Sequence, residues 1–335
     1  MASWRKIAAF AAAFLTGAGV FCALARCDAL RDGGGFGALP AAGLPARETV
    51  EPVPEKRAGT LRVASINSFN YLSTNRRTDD GVYKRHWAKP RSEREALRRL
   101  ILAVNPDVFA VQEIGGAKQL DQLALDLEGA GVGAAFPHRV VLSGRDTHRR
   151  VALLSRLPFR EIFRFPEKDA MSRGLLGAEV AAPGTAPVRV FTLHLKSKIT
   201  RDESDPECAA ERLAEARRAR AVLLRIGGNA CVLLGDFNDE PESAPVRVFS
   251  EGGFLRRLDS RDSAGARWTY SNSRYGYRSV FDHVFLSPAL SGEGRVADEA
   301  LSRVRSPIGG VVSASDHRMI FCDVAFADAE TPPSP

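Results

Sequence analysis

The sequence predicts an α/β protein, and three observations carry that prediction. Strand-like stretches rich in apolar residues recur, and each stops at polar side chains: 231–234 at Gly235 and Asp236, 108–111 at Gln112 and Glu113, and 188–193 at His194. Amphipathic helical patterns lie between such runs, at 92–104, 118–127 and within 206–226. The apolar content of 44% is that of an ordinary soluble chain with a sizeable core.

Taken in order, residues 61–67 alternate as a strand and end at Asn67, with Asn70 just beyond. Residues 74–91 are polar and irregular and read as a loop carrying basic and aromatic groups, among them Arg76, Arg77, Lys84, Arg85 and Trp87. The helix at 92–104 places Ala96, Leu97, Leu100 and Ile101 on one side, and Asn105 with Pro106 stops it. Residues 107–113 form a second strand ending at Glu113, followed by the helix at 118–127. Residues 139–143 and 150–155 read as paired strands around a basic loop, 144–149, that holds Arg145. The strand at 188–198 carries His194, Lys196 and Ser197 at its end. After the long helix, the strand at 230–235 runs into a tight turn with Asp236, Asn238 and Asp239, where Gly235 would let the backbone approach a ligand. Residues 280–286 are a strand bearing Asp282 and His283, and Ser315, Asp316 and His317 lead into a last strand at 319–324.

The ends of the chain read differently. Arg5 and Lys6 precede an uncharged stretch, 7–25, that closes on the small-x-small triplet Ala23, Leu24, Ala25. Residues 1–25 are therefore expected to be a secretory signal peptide, giving a secreted or periplasmic (cell-envelope) address. A retained membrane anchor is the alternative, since the stretch can just span a bilayer. Arg26 before Cys27 argues against lipoprotein processing. Residues 26–58, rich in Gly, Ala and Pro, read as a flexible linker, the folded domain as 59–326, and residues 327–335 as a disordered tail. Length alone would suggest two domains. The net charge of +7 suits an anionic partner, although the excess of Arg over Lys also fits a GC-rich genome. The five cysteines show no metal-ligand spacing; Cys231 and Cys322 lie in apolar runs and read as buried small hydrophobes.

Strand ends thus present Asn67, Glu113, His194, Asp236 with Asn238, Asp282, and Asp316 with His317. One such place is a turn; six, with no competing Cys cluster or Gly-rich phosphate loop, predict one site built from many strands. Carboxylate and amide oxygens suit Mg2+ or Mn2+, whereas zinc would more often recruit several His or Cys. A hard cation beside His and Asp is a kit for phosphate-ester hydrolysis.

These segments also carry a resemblance. Ile66-Asn67-Ser68-Phe69-Asn70, the run from Pro106 to Glu113, Leu193-His194-Leu195-Lys196-Ser197-Lys198, the run from Leu234 to Asp239, Phe281-Asp282-His283 and Ser315-Asp316-His317 stand in the order seen in the endonuclease/exonuclease/phosphatase superfamily. The resemblance implies one domain, a four-layered α/β sandwich with two mixed β-sheets face to face and helices outside. It implies that Glu113 is the principal metal ligand, with Asn67 and Asp316 near the metal or phosphate. Asp236 and Asn238 would orient water and the scissile phosphate, and Asp282 would orient His317, a general base or transition-state stabiliser. His194 resembles the second histidine of the deoxyribonuclease and sphingomyelinase branches. Lys196, Ser197 and Arg145 are candidate phosphate contacts. Gln112 and His283 are expected to be structural.

The expected function is a divalent-metal-dependent phosphodiesterase, with nucleic acid as the first substrate class because of the basic segments at 76–91 and 145–150. A sphingomyelinase-like phospholipid diesterase is the alternative, but the sequence offers no apolar hairpin for membrane contact. A phosphomonoesterase and a non-enzymatic anion-binding module complete the alternatives, and no protein partner is implied.

Overall fold

The computed structural model describes residues 52–129, 131, 135–166, 170–181, 185–200 and 202–327. The signal or anchor at 1–25, the linker up to residue 51 and the tail from 328 lie outside the described residues. Among the described residues, no helix is long and apolar enough to cross a membrane.

Strand β1 (Leu61–Tyr71) is followed by the hairpin β2 (Thr74–Arg77) and β3 (Tyr83–Trp87), helix α1 (Arg91–Val104) and β4 (Val108–Ile114). Then come α2 (Ala117–Glu128), β5 (His138–Leu142), β6 (Arg150–Ser155), β7 (Glu161–Phe165), β8 (Leu175–Val180) and β9 (Val188–His194). Helix α3 (Ala209–Ile226) leads to β10 (Cys231–Asp236), the short α4 (Ala244–Arg247) and β11 (Arg256–Arg257). The hairpin β12 (Tyr270–Asn272) and β13 (Tyr277–Ser279) precedes β14 (Asp282–Leu286), β15 (Leu290–Ser291) and β16 (Gly294–Val296). A last hairpin, β17 (Arg303–Arg305) and β18 (Val311–Ser313), precedes β19 (Ile320–Phe326).

Two mixed sheets result. One has the order β15-β19-β1-β4-β6-β5, with β16 also on β19; the other has the order β11-β14-β10-β9-β8-β7. Each contains one parallel pair, β1 with β4 and β9 with β10, crossed by α1 and α3 respectively, and antiparallel neighbours outside it.

Alternation along the strands sorts side chains into layers. Val108 and Ala110 of β4 join Val190, Val232, Leu234 and Val284 in the core between the sheets. Phe109 and Val111 face the other way, onto Leu97, Leu100 and Ile101 of α1 and Leu120 and Leu123 of α2. Phe191, Leu233 and Phe285 pack on Ala216, Ala219 and Leu223 of α3. The layers are helix, sheet, sheet, helix, as the resemblance implied. Helix α1 ends at Asn105, which turns left-handed at φ 54° and donates its N–H to the Ile101 carbonyl.

Some elements depart from the sequence reading. Residues 74–91 contain the hairpin β2–β3, which the sequence hides because its strands are polar and pair only with each other. Residues 52–58 have neither helix nor strand, yet Lys56 pairs with Asp107 at 2.7 Å and the Pro54 carbonyl accepts from Arg62 Nη2 at 2.8 Å. Cys231 and Cys322 are buried free thiols, as the sequence reading has them, and so is Cys208.

Gln112 ties the two sheets together. Its Nε2 donates to Thr192 Oγ1 at 2.9 Å across the core and to Ser65 Oγ at 3.0 Å within its own sheet. Leu at this position would leave both hydroxyls buried without that donor. Gln112→Leu is therefore expected to lower unfolding stability by about 2 kcal/mol in urea titration, without changing the fold.

Candidate active site

Parallel pairing of β9 with β10 sets His194 beside Asp236, and antiparallel pairing of β14 with β10 sets Asp282 on its other side. Asp236 is thus flanked in its own sheet by both residues. The facing sheet brings Asn67 at the end of the regular β1 pairing, Glu113 on β4, and Asp316 and His317 just before β19. Strand ends of both sheets therefore open at one edge, and the polar residues read from separate runs meet there.

Asp236 is the hub, with 1% of its surface exposed. Its Oδ2 accepts from Asn67 Nδ2 at 2.9 Å, across the two sheets. Its Oδ1 accepts from the Asn238 N–H at 2.8 Å. His194 Nε2 lies 3.3 Å and His317 Nε2 3.8 Å from Oδ2. Asn238, left-handed at φ 53°, turns its Nδ2 back to the Leu195 carbonyl at 3.0 Å. Gly235 serves the strand rather than a ligand: a Cβ there would collide with the Leu193 carbonyl oxygen of β9, and its φ of +150° is open to glycine.

His317 Nδ1 is 2.8 Å from Asp282 Oδ2, so its Nε2 faces Asp236. Burial works against charging this imidazole, but Asp282 and Asp236 outweigh it and hold its pKa up to about 10. Burial pushes Asp236 up to about 7, with the His317 charge pulling against it. Burial holds His194 well below the usual histidine value, helped by Arg173 and by the charges of His317 and Arg149. The site therefore contains one charged imidazole, one neutral imidazole and a carboxyl poised near neutrality. His283 is structural, as expected: its Nε2 contacts the Asp239 carbonyl at 3.0 Å, and burial drives its pKa down to about 3.

Glu113 stands in a left-handed kink of β4, at φ 59°, and its Oε2 accepts from the Asn70 N–H at 2.9 Å. Burial raises the Asp316 pKa, and Glu113 adds to the rise while His317 opposes it. Glu113 and Asp316 are thus close carboxylates in a poorly solvated place, a donor pair that a hard divalent cation would stabilise. Asn67 joins their edge, though its Oδ1 already accepts from the Phe69 N–H at 3.0 Å. A second grouping of ligand atoms, from Asp236, Asp282 and His317, lies within 4.8 Å. The Asp282–His317 contact already engages two of its members, which makes it the weaker cation site.

Three candidate phosphate contacts are placed less centrally. Arg145 turns to Glu211 and to Ser172 Oγ. Lys196 Nζ points to the Ile199 carbonyl at 2.8 Å and to Cys208 Sγ at 3.0 Å. Ser197 contributes its carbonyl to Lys196 Nζ. The basic loop instead delivers Arg149, whose Nε is 2.9 Å from Asn70 Oδ1 and 3.8 Å from Glu113 Oε1. Arg173, nearly buried, donates to the Leu195 carbonyl at 3.4 Å and keeps a buried Nε without a partner. Tyr270 pairs with His317 as an isolated bridge, its ring 4.9 Å away. No motif marks Arg149, Arg173 or Tyr270, because the first two are hidden among many arginines and the third sits in a polar hairpin.

The sequence profile described as the Endonuclease/Exonuclease/phosphatase family matches residues 68–317. Among curated proteins, none matches the chain. Among solved structures, sphingomyelinase C from Streptomyces griseocarneus is similar at a TM-score of 0.55 and 20% identity, covering 79% of this chain and 99% of that one. Mannosyl-6-phosphatase from Bacteroides thetaiotaomicron is similar at 0.58 and 21%, covering 79% and 100%. TDP2 of D. rerio, humanized by 14 mutations, is similar at 0.56 and 17%, covering 80% and 100%. These likenesses extend over the sandwich and concern the fold. The profile match spans most of the described chain and the strand-end residues from Glu113 to His317, and the protein belongs to the endonuclease/exonuclease/phosphatase family, whose members hydrolyse phosphate esters and generally use a divalent metal.

Proposed function

We propose that this chain is a Mg2+- or Mn2+-dependent phosphodiesterase acting on nucleic acid. The observation that carries the reaction class is the Asp236 hub, where Asn67, Asn238, His194 and His317 converge on one buried carboxylate beside the Glu113–Asp316 pair. A divalent cation held by Glu113 and Asp316, with Asn67 beside them, would neutralise charge on the phosphoryl oxygens.

The other roles belong to side chains. Asp236, with its pKa near neutrality and one oxygen fixed by the Asn238 amide, suits a base that accepts a proton from water. His317, oriented and kept cationic by Asp282, suits stabilisation of the developing negative charge through Nε2–H. His194, neutral and 3.3 Å from Asp236, supports the carboxyl without adding charge. Arg149, at the Glu113 edge, suits phosphate contact, whereas Arg173 is nearly buried and paired with Asp146 at 3.3 Å, and acts on the site through its charge near His194.

Nucleic acid is favoured by the cations at this edge and by the N-terminal segment read as a secretion signal, which suits scavenging outside the cytoplasm or in the cell envelope. A phospholipid diesterase is the second reading. Exposed Val82, Tyr83 and Trp87 on the β2–β3 hairpin support it, as do Ile308 and Val311 around the β17–β18 turn. A Cβ on Gly81 would lie 3.3 Å from Ile308 Cδ1, so the two turns adjoin. That patch is invisible in the sequence because its two halves lie more than 200 residues apart along the chain. Sphingomyelinase C among the similar folds is consistent with this reading.

Hydrolysis of DNA, RNA and sphingomyelin by the full chain separates the readings: polynucleotide cleavage that EDTA abolishes is expected, and sphingomyelin cleavage alone would replace nucleic acid by phospholipid. Glu113→Ala should abolish metal-dependent turnover, and His317→Ala should lower kcat by about 10^2- to 10^4-fold. Retained turnover in Glu113→Ala would refute its role as metal ligand. Arg149→Ala is expected to reduce kcat/KM by about 10- to 100-fold, and Arg145→Ala by less than about twofold, because only the first cation adjoins the Glu113 edge. The raised His317 pKa also fixes a sign for stability. The imidazolium contributes stability that is fully present below the unfolded value of about 6.5 and is lost as pH rises through about 10. Melting temperatures of metal-free wild type and Asp282→Asn should therefore differ most at or below pH 6.5 and converge towards pH 10.

A further inference from the structure

The hairpin β12–β13 has no part in the chemistry just described, yet it is fastened to it. Ser271 N–H donates to the Asp316 carbonyl at 2.9 Å, and Arg318 N–H to the Thr269 carbonyl at 2.6 Å. Thr269 Oγ1 in turn accepts from the N–H groups of Phe281 and Asp282, each at 2.9 Å. The root of the hairpin is therefore set by the same backbone that positions Asp282, Asp316 and His317.

From that root an aromatic ladder runs outward. Tyr270 lies 4.9 Å from the His317 ring and is stacked on Phe281 at 5.1 Å, with an interplanar angle of 17°. Tyr277 follows at 6.1 Å from Tyr270 and is 46% exposed; Tyr275, in the turn, is 66% exposed. The turn is well defined, with Gly276 at φ +69° donating its N–H to the Asn272 carbonyl at 2.8 Å. Cations interleave with the rings: Arg274 lies 5.4 Å from the Tyr275 ring, and Arg278 lies 4.3 Å from the Trp268 ring.

We infer that the β12–β13 hairpin is a stacking platform for unpaired bases of a single-stranded polynucleotide whose scissile phosphate sits at the Asp236 hub. The inference rests on the phosphodiesterase reading and narrows its substrate. Exposed planar rings with guanidinium groups between them match alternating bases and phosphates. A duplex keeps its base faces stacked inward and would offer this hairpin only phosphates. A bilayer could engage these tyrosines only at headgroup level, because residues 270–279 contain no aliphatic side chain to enter the acyl region.

The test is binding of a fluorescent single-stranded oligothymidine to the full chain in EDTA, followed by anisotropy. Tyr275→Ala with Tyr277→Ala is expected to weaken binding by about 10- to 100-fold. Phe at both positions keeps the π faces and should stay within about threefold of wild type, whereas Leu at both should weaken binding as Ala does. Leu variants that bind like wild type would overturn the inference, since apolar contact would then suffice. So would an Ala pair that leaves oligothymidine binding intact but loses binding to sphingomyelin vesicles. Hydrolysis of bis(p-nitrophenyl) phosphate with Mg2+ separates the two levels. Its presence, with oligothymidine binding unmoved by the Ala pair, would sink the platform alone. Its absence in wild type would sink the phosphodiesterase reading and the platform with it.

Discussion

The hydrogen bond from Asn67 Nδ2 to Asp236 Oδ2 is the interaction on which the site depends. It is short, buried and crosses between the two sheets. A carboxylate with 1% exposure is costly unless donors replace its water. Asp236 receives them from three directions: an amide on the facing sheet, the Asn238 backbone one turn on, and the histidines from β9 and the loop before β19. None of these can be supplied by β10 itself. Asp236 is thus tolerable only when the sheets pack in this register, which ties assembly of the sandwich to assembly of the site. Gln112 makes a comparable link deeper between the sheets, through Thr192. Two polar bridges within an otherwise apolar interface fix register in a way that the Val and Leu contacts around them do not.

The layered fold and most of the hub were legible because both follow from period and position. Strands of the central parallel pairs bury both faces, so they appear as apolar runs, and their functional residues stand where the runs stop. Asn67, Glu113, His194 and Asp236 were found that way, Asp282 and His317 stand where the runs of β14 and β19 begin, and the structure brings all six to one edge. What was not legible lacks such a boundary. The ribbons β2–β3 and β12–β13 are polar and paired only with themselves. Their side chains are not forced into alternation by a buried face. Arg149 and Arg173 could not be told from the other arginines by type or spacing, and only tertiary placement separates Arg149 from Arg145, four positions before it.

The electrostatics of the hub divide two histidines that the sequence presents as equals. Both are buried, so solvation does not distinguish them. His317 has Asp282 on its Nδ1 and is held charged; His194 has Arg173 and Arg149 in its surroundings and is held neutral. The pair of opposite states lets one imidazole meet negative charge while the other avoids repelling it. A second cationic imidazole beside Asp236 would oppose the rise that burial imposes on that carboxyl.

The net charge of +7 argues for an anionic partner less directly than its location does. Many of the arginines are committed to the fold: Arg62 to Asp323, Arg189 to Glu179, Arg212 to Asp239 and Arg318 to Asp262. Each of these cations faces a carboxylate within 3 Å and projects little field to a distant ligand. Arg145, in the basic loop, is likewise paired with Glu211. Near the hub, Arg149 lies 3.8 Å from Glu113 and Arg173 3.3 Å from Asp146, so these cations too have a carboxylate neighbour and act only at contact range. A polyanion steered by bulk charge would bind anywhere on such a surface. For the polynucleotide proposed above, these few cations would not suffice to position the substrate, and the aromatic side chains of β12–β13 beside His317 are the groups proposed to do it.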